Sequence, residues 1–123
     1  MSYVDIARRF SVSETAVRKR IRKLEDDGVI KKYTIEIDPR KAGFEISAQV
    51  GIDTKPEKYI EVLENLKRMK SVSCMKTSSG DHMIIIECLF ARDSSQLADF
   101  VRKIESMEGV TRVCPSVITE KIK

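Results

Sequence analysis

The sequence predicts an α+β protein in two parts, a short helical unit at the N-terminus and a larger βαββαβ body. Two helical patterns, each preceded by a serine, come first and end at Gly28. The rest of the chain then repeats loosely, with Ile52 matching Phe90 and Leu66 matching Ile104 at an offset of 38 residues. The excess positive charge is confined to the first third, so the two parts also differ in electrostatic character.

Length and composition limit the classes of protein to which the chain can belong. A chain of 123 residues holds one ordinary domain or a very small unit beside a larger one. No apolar run approaches the roughly 20 residues needed to span a bilayer, and the N-terminus lacks a basic segment followed by an apolar one. Three cysteines without CxxC spacing, Cys74, Cys88 and Cys114, argue against a disulfide framework or a zinc site. We expect a cytoplasmic protein without membrane contact, metal or cofactor, whose cysteines are buried in strands.

Charge is concentrated near the N-terminus. Residues 1–42 hold 11 Lys and Arg against 7 Asp and Glu, while residues 43–123 hold 12 of each. Between residues 8 and 23 there are seven basic residues and a single acidic one, Glu14. This distribution indicates a polyanion-binding head on a neutral body. The alternative is that these side chains are ordinary solvated helix faces.

The first helix is predicted from its cap. Ser2 and Asp5 have the capping-box spacing, so a helix should begin at Tyr3 and stop at the turn 11–13. Its apolar stripe consists of Ile6, Ala7 and Phe10.

A second helix follows directly. Ser13 is placed to cap it, and it should run from Glu14 to about Asp27, with Gly28 at the left-handed position beyond its end. The predicted buried face consists of Val17, Ile21 and Leu24, and the opposite face of Thr15, Arg18, Lys19 and Arg22.

Two short helices joined by a three-residue turn, the second basic along one side, form a helix-turn-helix that can read the DNA major groove. Arg18 and Lys19 can reach guanine acceptors, and Thr15 can reach a thymine methyl group or a phosphate. The predicted DNA-binding residues are Ser13, Glu14, Thr15, Arg18, Lys19, Arg20, Arg22 and Lys23, of which Arg20, Arg22 and Lys23 are assigned to the backbone.

The segment Val29–Ile37 alternates β-branched and polar residues before Asp38-Pro39 interrupts it, which predicts a hinge strand. The predicted domains are therefore a helix-turn-helix at 1–30, a hinge strand and linker at 31–42, and a body at 43–123.

In the body we predict strands near 44–53, 72–78, 83–90 and 110–119, with helices between Pro56 and Arg68 and between Ser94 and Met107. This order is that of the ferredoxin-like sandwich, with both helices on one face of the sheet. The third strand, 83–90, is largely apolar on both faces, which predicts a second subunit on the other side and at least a dimer.

Several segments together resemble one known family. They are similar in type and spacing to the Lrp/AsnC regulators, closest to archaeal members, and comprise Ile6-Ala7, the run 13–21, Leu24-Glu25 and the run 28–30. The similarity continues through Tyr33, Ile37, Asp38-Pro39 and Gly43, which resemble that family's hinge strand and the entry to its effector domain. The resemblance extends over essentially the whole chain. It implies a winged-helix-like DNA-binding head, an effector domain that senses an amino acid or related metabolite, and homodimers that pack sheet against sheet and assemble into tetramers or octamers.

One feature of that family is missing from this sequence. Its members begin with an additional helix, which packs behind the helix-turn-helix. We therefore expect the apolar backs of the two helices present to be more exposed, with DNA binding either weakened or restored by a partner subunit. A misassigned start codon and a truncated product are equally open explanations.

The loop between strands two and three is the candidate effector site. Its predicted residues are Ser78, Ser79, Gly80, Asp81, His82 and Met83. Glycine lets a ligand approach the backbone, and adjacent amides can hold a carboxylate, although a plain hairpin turn would have the same spacing. The resemblance implies a Gly-x-x-Asp loop facing an amino-acid pocket between dimers. Met83 stands where that Asp is usual, and whether Asp81 substitutes for it is open.

Three functions are compared on this basis. The first is a sequence-specific transcription regulator modulated by a metabolite; the second is a metabolite-binding and oligomerisation module with weak or no DNA binding. The third is a small enzyme, but the sequence contains no catalytic cluster, no metal-ligand spacing and no phosphate-binding loop. His82, the only histidine, has no Ser, Cys or carboxylate partner at a recognisable motif spacing. We expect that the protein is not an enzyme.

Overall fold

The computed structural model describes residues 2–123, which divide into two compact units, one up to Glu36 and one from Ile37 to Lys123. The division lies inside the segment predicted as a linker. The N-terminal unit is helical, and the C-terminal unit holds all four strands found in the described residues.

The N-terminal unit contains helices α1 (Tyr3–Arg9) and α2 (Glu14–Asp26). The capping box of α1 is confirmed, because Ser2 Oγ accepts from the Asp5 amide and Asp5 accepts from the Ser2 amide. Ser13 Oγ accepts from the Ala16 amide at 3.1 Å and caps α2 as predicted. Gly28, just beyond α2, has a φ of 75°, the left-handed conformation that glycine tolerates best.

Packing in this unit is restricted to the line where the two helices meet. Ala7 and Val17 are buried there, as predicted. The prediction that Leu24 belongs to the buried face is wrong, since this residue is 39% exposed. The 71% exposure of Phe10 agrees with the expectation that the apolar backs of these helices are more exposed. The reason is geometric: each helix has a single helical partner within the unit, so only residues at that contact are covered.

The hinge strand predicted for Val29–Ile37 is not formed. Residues 31–38 adopt neither helix nor strand. A strand requires a neighbouring strand to pair its backbone N–H and C=O groups, and alternation of side chains alone does not provide one. Tyr33 and Ile35 are consequently exposed.

The C-terminal unit contains β1 (Ile46–Thr54), a 3₁₀ turn (Pro56–Lys58), α3 (Tyr59–Lys67), β2 (Val72–Thr77), β3 (Ile84–Phe90), α4 (Ser94–Glu105) and β4 (Val110–Val117). All neighbouring strands are antiparallel, in the order β2-β3-β1-β4. This confirms the βαββαβ ferredoxin-like prediction. Pro56 begins the 3₁₀ turn, and Asp93 caps α4 by accepting from the Ser95 amide.

The core lies between α3 and α4 and one face of the sheet. It is built from alternate residues of β1 and β3 and the inner faces of both helices: Ala48, Val50, Ile52, Val62, Leu66, Ile84, Ile86, Cys88, Phe90, Leu97, Phe100 and Ile104. Phe90 and Phe100 meet edge to face with ring centroids 5.4 Å apart. Residues matched by the sequence repeat therefore share this core.

The second face of the sheet is mixed in character. It includes the half-buried Ile85 and Leu89 of β3, but Glu87 between them is exposed, so β3 is less apolar on this side than predicted. Of the cysteines only Cys88 is buried, and burial raises the pKa of its thiol to about 11. Cys74 and Cys114 are only partly buried, contrary to prediction. Among residues 2–123 no helix is long and apolar enough to cross a bilayer.

The core assignment predicts different effects for the same substitution at two isoleucines. Ile104 in α4 is fully buried, whereas Ile60 in α3 is 67% exposed. Ile104→Ala should lower the free energy of unfolding by about 2–5 kcal/mol, because it removes buried methyl groups and leaves a cavity. Ile60→Ala should change it by no more than about 0.5 kcal/mol. Urea unfolding of both variants measures the difference, and equal losses would contradict the assignment.

Candidate nucleic-acid interface and effector loop

Helix α2 and its cap carry the predicted DNA-binding residues, and all of them except Arg20 lie on or beside one face. Residues three, four and seven positions apart share a helix face, so Thr15, Arg18, Lys19 and Arg22 lie opposite the buried Val17. Lys23 flanks this face, whereas Arg20, three residues after Val17, is exposed on the side of the helix nearer to Val17. Ser13 caps the N-terminal end of the helix. All of these side chains are exposed, and only Glu14 is half-buried. Together they form a cationic surface suited to a polyanion.

Arg18 is the most constrained cation on that surface. Its Nη2 lies 2.6 Å and its Nε 3.2 Å from Glu14 Oε1, one helical turn earlier. Its guanidinium carbon also lies 4.9 Å from the centre of the Tyr3 ring in α1. Sequence reasoning missed Tyr3, because nothing in a linear pattern shows which residue of one helix reaches the other.

The segment after α2 is tied to the same helix. Tyr33 Oη donates to Glu25 Oε1 at 2.7 Å, and this hydrogen bond to the carboxylate raises the pKa of Tyr33 to about 12. The phenol therefore stays protonated through the physiological range, and the bond holds the exposed Tyr33 beside α2.

The predicted effector loop connects β2 and β3. The Ser78 amide donates to the Met83 carbonyl at 2.9 Å, which closes the hairpin, and the Gly80 amide donates to Ser78 Oγ at 3.1 Å. Residues 78–81 are exposed, whereas His82 and Met83 are half-buried. A methyl group at Gly80 would meet only Ser78 Oγ, at 3.5 Å, so the space above this backbone is open to a ligand.

The base of the loop is anchored to β1 by a carboxylate. Asp53 Oδ2 lies 3.0 Å from His82 Nδ1, and Asp53 Oδ1 accepts from the Met83 amide at 3.0 Å. Burial acts to raise the pKa of Asp53, but the hydrogen bonds from Met83 and His82 and the nearby charge of Arg112 outweigh it and hold this pKa below its ordinary value. The carboxylate is therefore ionised at neutral pH and can hold both groups.

Gly51 completes the anchor. A Cβ at this position would lie 2.3 Å from His82 Cδ2 and 2.4 Å from its Cγ, so the imidazole occupies the space that a side chain would fill. Motif spacing in the sequence showed no carboxylate partner for His82, because Asp53 lies 29 residues away along the chain. The available signal was the alternation of β1, in which Gly51 and Asp53 lie on the face opposite Val50 and Ile52.

A separate depression lies on the surface beside α4 and β4. It has a volume of about 380 Å³, is open to solvent, and is lined by Leu97, Val101 and Pro115 among others. It contains no residue of the loop, so the loop and this depression are different features.

Comparison with known proteins identifies the family. Residues 1–31 match the family model described as winged helix-turn-helix DNA-binding, and residues 47–123 match that of the Lrp/AsnC ligand binding domain. The chain belongs to the Lrp/AsnC family. This confirms the resemblance seen in the sequence, and the matched ranges correspond to the cationic helices and to the sheet with its loop.

Relatives in archaea are named as regulators. The HTH-type transcriptional regulator LrpA of Pyrococcus horikoshii is 48% identical over 98% of this chain and 86% of its own length. LrpA1 of Halobacterium salinarum, with the same description, is 41% identical over 99% of this chain and 86% of its own length.

Two solved structures share the fold. Bacillus subtilis LrpC superposes with a TM-score of 0.85 at 23% identity, covering 100% of this chain and 85% of its own. A transcriptional regulator from Neisseria meningitidis, solved as a complex with L-Met, gives 0.85 at 16% identity, covering 100% and 81%. At these identities the likeness concerns the fold alone, and it confirms the predicted fold class.

The anchor of the loop generates a double-mutant prediction. Gly51→Ala should lower the free energy of unfolding by about 1–3 kcal/mol, because the new methyl group displaces the His82 ring. In a His82→Ala background the same change should be nearly neutral. Chemical denaturation of the four proteins measures the coupling energy. The matched control is Gly80→Ala, which meets open space; additive effects at positions 51 and 82 would show that the ring does not lie over Gly51.

Proposed function

We propose that this protein is a sequence-specific DNA-binding transcription regulator whose DNA binding or assembly is modulated by an amino acid or a related metabolite. The observation that carries the proposal is the exposed cationic face of α2 on a chain of the Lrp/AsnC family. The two matched models assign DNA binding and ligand binding to the two units separately. A regulator that responds to a metabolite needs both.

Within this proposal the residues of α2 divide into two groups. Thr15, Arg18 and Lys19 stand near the start of the helix, where a recognition helix contacts base edges. The cations further along and at the flanks contact phosphates and supply affinity without sequence information; they are Arg20, Arg22 and Lys23.

The proposed working unit is a homodimer that can assemble further, to a tetramer or octamer. Half-buried apolar side chains on the second face of the sheet, such as Ile85 and Leu89, are suited to contact with another subunit. Two-fold symmetry would present two copies of α2 to successive major grooves of one duplex.

The proposed effector site is the loop 78–83. Its open backbone at Gly80 can approach a carboxylate, and the exposed Asp81 offers a negative charge to an ammonium group. An α-amino acid carries both groups at neutral pH. The Neisseria meningitidis regulator of similar fold was solved as a complex with L-Met, which supports this class of ligand.

One observation favours the second candidate function, a metabolite-binding assembly module with weak DNA binding. Phe10 and Leu24 of the helical unit are exposed, so its apolar surface is only partly covered. In that case the protein acts through mixed oligomers with relatives that bind DNA more tightly.

The DNA-binding proposal predicts a selective effect of charge removal. Replacing Arg18 and Lys19 together by Ala should abolish specific binding and leave the oligomeric state unchanged, because both side chains are exposed on α2. The matched control replaces Arg102 and Lys103, two exposed cations of α4, and should bind like the wild type. Mobility-shift titrations on the protein's own promoter measure both. The proposal fails if the two double variants bind alike.

The effector proposal predicts a graded response at Gly80. Gly80→Leu should weaken amino-acid binding strongly and Gly80→Ala only slightly, because the longer side chain occupies the open space above the loop. DNA affinity without effector should not change in either variant. Calorimetry with each standard amino acid in turn identifies the ligand on the wild type first, and normal uptake of that ligand by Gly80→Leu would remove the loop from the site.

A further inference from the structure

We propose that Glu14 and Tyr3 are specificity-determining residues, which hold the Arg18 guanidinium in position to read a guanine in the major groove. This inference rests on the proposed DNA-binding function. It deepens that function by assigning roles to an acid and an aromatic residue on a surface otherwise defined by its cations.

Glu14 holds one edge of the guanidinium and leaves the other free. Both Nε and Nη2 of Arg18 contact the same oxygen, Glu14 Oε1. A guanidinium has five N–H donors, so the edge formed by Nη1 and the second hydrogen of Nη2 remains available. That edge carries two parallel donors, which match the O6 and N7 acceptors of guanine. The salt bridge therefore orients the reading edge and does not block it.

Tyr3 restricts the remaining freedom of the same group. Its ring centre lies 4.9 Å from the Arg18 guanidinium carbon, within the range of a cation–π contact. Glu14 belongs to α2 and Tyr3 to α1, so the guanidinium is held from two different helices. A long side chain that is fixed before it meets its base loses less conformational freedom on binding.

The charge of Glu14 also selects the kind of partner that Arg18 accepts. A phosphate at the free edge would be repelled by the carboxylate, whereas an uncharged guanine would not. Glu14 therefore disfavours use of Arg18 as a general phosphate contact. Its removal should strengthen binding to any sequence while weakening discrimination.

The competing explanation is an ordinary solvated ion pair. The side chains of Arg18 and Glu14 are 62% and 42% exposed, and such pairs four residues apart often contribute only to helix stability. This explanation predicts no change in base preference when the pair is broken, so the two accounts differ in a measurable quantity.

The experiment is selection of binding sites from random duplex DNA, followed by affinity measurements on the selected and on unrelated duplexes over a range of salt concentrations. It uses the full chain as wild type, Glu14→Gln and Arg18→Lys. The matched control is Asp26→Asn, which removes one negative charge at the other end of the same helix. Tyr3→Leu removes the aromatic ring, whereas Tyr3→Phe keeps the ring and removes only the hydroxyl group.

The wild type should select a guanine at one position in each half-site. Glu14→Gln should reduce that preference on the order of tenfold, as expected for loss of one bidentate base contact. It should also bind unrelated DNA more tightly, with the salt dependence steeper by about one phosphate contact. Arg18→Lys and Tyr3→Leu should lose the preference, while Tyr3→Phe and Asp26→Asn should retain it.

Two results would overturn the inference. If Glu14→Gln and Asp26→Asn raise affinity equally and leave the selected sequence unchanged, Glu14 acts only through net charge. If Tyr3→Leu keeps the guanine preference, the ring does not position Arg18. A wild type that enriches no sequence would overturn the proposed function itself, and this outcome is distinct because it does not depend on any variant.

Discussion

The C-terminal unit depends on the two-sided construction of β1. This strand is central and pairs with both β3 and β4. One of its faces carries Val50 and Ile52, which are fully buried beneath the helices. Because neighbouring residues of a strand point to opposite faces, the same alternation places Gly51 and Asp53 on the other side, where they hold His82 and the start of β3. Core packing and loop position are thus fixed by one strand.

The N-terminal unit is held by fewer interactions. Its helices share a narrow apolar contact, and their ends are defined by serine caps and a glycine. With so little buried area, polar contacts such as that between Tyr33 and Glu25 have a larger share in its organisation. Most of its side chains face solvent, which leaves the cationic residues of α2 free to contact a polyanion.

Structural features that depend on local sequence pattern were predicted correctly, whereas features that depend on tertiary contacts were missed or predicted wrongly. The caps at Ser2 and Ser13 and the order of strands and helices along the C-terminal unit were predicted from sequence, because capping and hydrophobic periodicity act over a few residues. The contact of Asp53 with His82 was missed, since it exists only once β1 and β3 are in register. The hinge strand failed for a related reason: alternation predicts a strand only where a neighbour is available to pair with it.

The repeat in the C-terminal unit gives it an approximate internal two-fold symmetry, and the anchor of the loop lies where that symmetry is broken. At the offset of 38 residues, Gly51 corresponds to Leu89 and Asp53 to Ala91. The buried pairs Val62 with Phe100 and Leu66 with Ile104 keep an apolar character in both halves. One half of the scaffold therefore carries a polar clamp that its apolar counterpart lacks. Such asymmetry allows one loop to change in sequence without altering the packing that both halves share.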